Sequence, residues 1–188
     1  MRLFVAVVPP PSALSELGEA AAELHALPDS ARLRWSSPAT WHFTLAFLGE
    51  TDEAVLPDLT ERLARAAHRH PAHELRLAGG GRFGDRVLWA GADGDVPTLR
   101  ALARSAGAAA RRAGVAVDES RPFHAHLTLA RAATGHVALR PYAEALAGFR
   151  GSPWPAERLE LVRSRLPASG VPGERPRYET VRAWGLGE

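Results

Sequence analysis

Two short stretches carry the residues best suited to chemistry. One is Trp41-His42-Phe43-Thr44-Leu45-Ala46-Phe47-Leu48. The other is Phe123-His124-Ala125-His126-Leu127-Thr128-Leu129-Ala130. Each places a threonine two positions after a histidine, at His42/Thr44 and His126/Thr128, and the offset is 84 residues (from 42 to 126). Each reads as a strand, where side chains alternate between faces. Phe43, Leu45 and Phe47 then share a core face and His42, Thr44 and Ala46 the opposite one. In the second copy Leu127 and Leu129 face the core, while His126, Thr128 and Ala130 face away. A single strand histidine or threonine is ordinarily structural; the repetition is what points to chemistry.

Hydrolysis of a phosphodiester needs a base to deprotonate water and an acid to protonate the departing oxygen. Attack and departure are in line across phosphorus, so the two groups work from opposite sides. An imidazole titrates near ~6.5 and can be neutral or charged around neutral pH. Two of them facing across a cleft supply both roles. Threonine hydroxyls can donate to the non-bridging oxygens as negative charge builds there.

The composition removes competing chemistries. Cysteine is absent, which excludes disulfides, thiolate nucleophiles and zinc–thiolate sites. All 23 basic residues are arginine. Without lysine there is no Walker A loop, no kinase strand lysine and no Schiff-base or lysine-adenylate chemistry. Arginine suits phosphate, because its guanidinium fork engages two oxygens at once. The net charge of only +2 argues against a broad nucleic-acid-coating surface.

The elements that must position these residues alternate between strand and helix. Strands are predicted over Arg2–Val8, Trp41–Leu48, His73–Leu77, Arg86–Gly91, Phe123–Arg131, Leu159–Arg165 and Tyr178–Trp184. Helices are predicted from a Ser12 cap to Leu27, over Glu53–His70, Val96–Ala113 and Pro141–Leu146. The glycine-rich segment Gly79–Asp85 is read as the loop of a hairpin, and the Pro- and Gly-rich Pro167–Pro176 as a mobile loop. No apolar run approaches the ~20 residues that span a bilayer. The first apolar stretch, about six residues, is too short for a signal segment. A cytoplasmic protein, without membrane attachment and monomeric, is expected.

The two motifs with their flanks resemble the paired HxTx signatures of the 2H phosphoesterase superfamily, in particular its RNA 2',3'-cyclic phosphodiesterase (2'-5' RNA ligase-like) branch. The resemblance includes Arg2-Leu3-Phe4-Val5-Ala6, Val87-Leu88-Trp89, Tyr178 and Trp184. It implies an α/β (α+β) fold of two mainly antiparallel sheets with outer helices and a central cleft. Residues 1–188 would form a single domain with two pseudo-symmetric lobes. It implies His42 as proton donor and His126 as proton acceptor, Thr44, Thr128 and Arg131 as phosphate-binding residues, and no metal or other cofactor. The implied substrate is an RNA end or nucleotide carrying a 2',3'-cyclic phosphate, opened to a 2'-phosphomonoester. The alternatives are a 2'-5' phosphodiesterase, an ATP-independent 2'-5' RNA ligase running the reverse reaction, and a non-catalytic RNA-end binder. On ideal alternation Arg131 points away from His126, so its role requires a bulge or a long reach.

Other features are weaker. His124 and His126 have the spacing of an HxH metal pair, although the resemblance implies no metal. His68, His70 and His73 read as a solvated helix end. Gly79-Gly80-Gly81 joins strands rather than opening a helix, so it is not a phosphate cradle. Trp35, Phe123 and Tyr178 are candidates to stack on a base or simply to pack.

Overall fold

The computed structural model describes residues 1–132, 136–168 and 170–188. Two antiparallel sheets form the frame. The first has the order β3 (Phe43–Glu50), β1 (Arg2–Val7), β8 (Arg158–Arg165), β9 (Arg177–Gly185). The second has the order β2 (Leu33–Trp35), β6 (Leu127–Ala132), β5 (Val87–Gly94), β4 (His73–Phe83), β7 (Trp154–Ala156). This is the two-sheet architecture that the resemblance implies. The short strands β2 and β7 were not anticipated, since three residues are too few to show a period.

The helices α1 (Pro11–Leu24), α2 (Leu56–Arg69), α3 (Val96–Arg112) and α4 (Arg140–Leu146) cover the sheets. α1 follows a strand of the first sheet yet packs on β4 and α4 of the second; α3 follows β5 yet packs on β3 and α2. This exchange ties the two sheets to one another. Each helix buries a stripe at helical spacing, Leu17, Ala21 and Leu24 on α1 and Leu59, Leu63 and Ala66 on α2. The buried side chains of both sheets and all four helices join one main core cluster.

Several boundaries move for local reasons. α1 starts at Pro11, with proline preorganised for the first turn, so Ser12 lies inside the helix and does not cap it. A 3-10 turn at Glu53–Val55 precedes α2. Asp95 caps α3 by accepting from the Thr98 backbone, and Gly114 ends it at φ +87°. The loop after β8 spans the predicted Pro167–Pro176, of which Ser169 lies outside the described residues.

The glycine triplet is a correction. Gly79, Gly80 and Gly81 lie within β4, not in a hairpin loop, and the turn comes later, at Gly84. A Cβ on Gly81 would fall 2.3 Å from the Trp89 ring, and one on Gly80 would fall 2.7 Å from Leu146. The residues are small because an indole and a helix side chain press on the strand.

Candidate active site

His42 and His126 each sit immediately before a strand, β3 and β6. Both rings are anchored in the same way. Nδ1 of His42 lies 2.7 Å from the Thr40 carbonyl oxygen, and Nδ1 of His126 lies 2.7 Å from that of His124. A carbonyl only accepts, so each Nδ1 carries the proton and donates it. This fixes Nε2 as the nitrogen left to react. Nε2 of His42 lies 2.8 Å from Thr44 Oγ1. Among the described residues, no hydrogen bond holds Nε2 of His126.

Both strands then break their alternation at equivalent places. In the pairing of β1 with β3, Val5 faces Ala46 and Ala6 faces Thr44, so Leu45 is extra. In that of β5 with β6, Leu88 faces Ala130 and Trp89 faces Thr128, so Leu129 is extra. Leu45 and Leu129 show the same 84-residue offset as the histidines (from 45 to 129). Each bulge buries two successive residues, Leu45 with Ala46 and Leu129 with Ala130, and reverses the faces beyond them. Arg131 is thereby turned to the face of His126, where its charge acts on that ring. The same reversal corrects the expectation for Phe47. It is 61% exposed rather than buried, and Leu48 takes the core position.

The imidazoles are enclosed by rings. His42 stacks on Phe4 at 4.6 Å and meets the edge of Tyr178 at 5.5 Å. His126 has Phe83 at 4.9 Å and Trp89 at 6.2 Å, and His124 at 6.1 Å. Burial pushes the pKa of His42 down; the backbone bond to Thr40 opposes this, and the charge of His126 adds to it. Burial likewise lowers that of His126, opposed by the bond to His124 and reinforced by the charges of His124 and Arg131. The charge of His126 thus reaches His42.

The sequence matches the family model described as LigT like phosphoesterase over residues 7–89 and 93–172. The chain belongs to the LigT-like phosphoesterases. Its relatives place it among the RNA 2',3'-cyclic phosphodiesterases of the 2H superfamily. It is 32% identical to the RNA 2',3'-cyclic phosphodiesterase of Thermus thermophilus, over 90% of this chain and 85% of that protein. It is 30% identical to that of Geobacillus stearothermophilus over 81% of the chain, but spans only 47% of that longer relative. The crystal structure of Escherichia coli LigT complexed with 3'-AMP superposes with a TM-score of 0.75 at 26% identity, covering 100% of this chain and 98% of that one.

In this LigT-like phosphoesterase the weaker sequence features fall into place. Among the described residues there is no group of three or more histidine or carboxylate side chains arranged to hold a metal ion. His124 packs edge-on against Trp89 at 4.7 Å. Of the three histidines around the end of α2, only His68 is exposed as expected. His73 opens β4 and is buried, while His70 Nε2 bonds Ser105 and His68 Nδ1 bonds the Glu188 carbonyl. Trp35 stacks on His25, donates to the Ser30 carbonyl and faces Tyr142, so it packs the scaffold. Phe4 and Phe83 contact the two imidazoles most closely; Phe4 stood in the sequence only as part of the Arg2–Ala6 resemblance, and nothing in either strand marks its phenylalanine as a site residue. No helix among the described residues is long and apolar enough to cross a membrane.

Proposed function

We propose that this chain hydrolyses 2',3'-cyclic phosphate ends of RNA to 2'-phosphomonoesters, with His42 as general acid and His126 as general base. The observation that carries the reading is the matched pair of imidazoles. Both are held through Nδ1 by a carbonyl two residues upstream, both have Nε2 left to react, and the two rings lie at the starts of strands in different sheets, with the charge of His126 acting on His42.

Water attacks phosphorus and gives a proton to Nε2 of His126, which no hydrogen bond occupies among the described residues. The P–O3' bond breaks opposite, and O3' takes the proton from Nε2 of His42. Thr44 and Thr128 donate to the non-bridging oxygens, and Arg131 neutralises the charge that gathers on them. His42 must be charged to act as acid, yet burial disfavours its cation in the free protein. The substrate phosphate is itself an anion and raises this pKa once bound. Binding therefore arms the acid. That E. coli LigT has been solved in complex with 3'-AMP supports a nucleotide ligand for this fold.

The test is product release. A dinucleotide ending in a cyclic phosphate should yield phosphomonoester with the wild type and none with His42→Ala/His126→Ala, both folded. A protein that bound the dinucleotide without turnover would be an RNA-end binder instead.

A further inference from the structure

Resting on that function, we infer that Arg34 is a second phosphate-binding residue, which beside Arg131 on the reacting phosphate takes the phosphodiester on the 5' side of the terminal nucleotide. In the pairing of β2 with β6, Arg34 lies directly opposite Arg131. Directly opposed residues share a face, with Cβ atoms about 4.5–5.5 Å apart. The flanking pairs confirm which face. Leu33 opposite Ala132 and Trp35 opposite Ala130 point to the core, where Leu33 and Ala130 are buried. Arg34 therefore shares with Arg131 the face that carries His126.

Like charges directly opposed across a ladder are unfavourable unless an anion lies between or above them. Some arginines elsewhere pair with carboxylates, such as Arg62 with Asp58, Arg140 with Glu144 and Arg165 with Glu179, while others do not. Among the described residues neither Arg34 nor Arg131 has such a partner. Their two guanidinium forks are left to an anion from outside, and forked pairing suits the oxygens of a phosphate.

The position on the sheet selects which phosphate. β2 is the edge strand, one strand further out than β6. The reacting phosphate already has Thr44, Thr128 and Arg131. A terminal cyclic phosphate closes the strand on its 3' side, so the chain can leave the cleft only through its 5' phosphodiester. Arg34 stands beside Arg131 on an outward path.

The experiment compares kcat/KM for a mononucleoside 2',3'-cyclic phosphate and for a dinucleotide ending in one. Wild type should prefer the dinucleotide. Arg34→Ala should cut that preference about tenfold, the scale of one charge-assisted contact. Arg34→Lys should retain part of it, and Arg34→Ala should flatten the salt dependence on the dinucleotide by a slope of about 0.7. Equal losses on both substrates, or no loss on either, would overturn the assignment. If wild type turned over neither substrate, the proposed function would fall. The arginine site would then be read by titrating a dinucleotide with a 3'-terminal phosphate, and equal affinity of wild type and Arg34→Ala would overturn it.

Discussion

Nε2 of His42 lies 2.8 Å from the hydroxyl oxygen of Thr44, while no hydrogen bond joins His126 to Thr128. In the free protein Thr44 therefore donates to the nitrogen that must later carry a proton. When substrate arrives, the hydroxyl can turn to phosphate as His42 charges. Thr44→Val keeps the shape and removes the donor. It is expected to lower kcat by about 10²–10³, the usual loss for one donor to developing charge. His42→Ala should lose more, because it removes the proton itself. A Thr44→Val protein as inactive as His42→Ala would show that the roles are misassigned.

Burial lowers both histidine pKa values in the free protein. The profile of kcat/KM reports the free enzyme. It should be a bell whose two apparent pKa values belong to the pair, with its maximum below ~6.5. The alkaline limb of kcat should lie at higher pH, because the bound phosphate favours the imidazolium. A maximum of kcat/KM well above about pH 7, or a flat profile, contradicts this. The linked stability effect has a definite sign. The unfolded chain takes up protons near ~6.5, while the folded histidines resist them. These two groups therefore lower stability as pH falls from there through their depressed values. Unfolding titrations of His42→Gln/His126→Gln should show a weaker fall.

Ring opening should go in one direction. The 2' and 3' oxygens differ little chemically, so a solution reaction gives both products. With acid and base fixed on different sheets, the ribose fits in one orientation. Phosphorus NMR should show only the 2'-phosphate from a cyclic-phosphate dinucleotide. A mixture, or the 3' isomer alone, would reverse the assignment of acid and base.

Gly81→Ala should destabilise the fold by about 1–3 kcal/mol, as overpacking does, because the new methyl would meet the Trp89 ring at 2.3 Å. Trp89 supports His124 and His126, so turnover should drop with it. Thermal unfolding and kcat measured together check both. Unchanged stability would mean that the indole can move away freely.

Activity should persist in EDTA, since the acid, the base and the phosphate donors are all side chains of this protein. Loss in chelator, restored by one divalent ion, would instead make His124 and His126 a metal-binding pair.

The His-x-Thr pairs were readable in the sequence because strand alternation and apolar patterning are properties of a few adjacent residues. So were the three longer helices, α1, α2 and α3, whose stripes repeat over several turns. The direction of Phe47 and Arg131 was not readable. Local alternation sends both to the core side, and only the pairing of β1 with β3 and of β5 with β6 introduces the extra residues Leu45 and Leu129 that turn them round. The glycines of β4 looked like a loop because the indole that requires them comes from the neighbouring strand. Arg34 had no mark of its own until β2, three residues long, set it against Arg131. The types of the reacting groups are written in short stretches of sequence. Their facing, enclosure and company depend on which distant strands lie beside them, and that is decided only when the sheets close their ladders around one core.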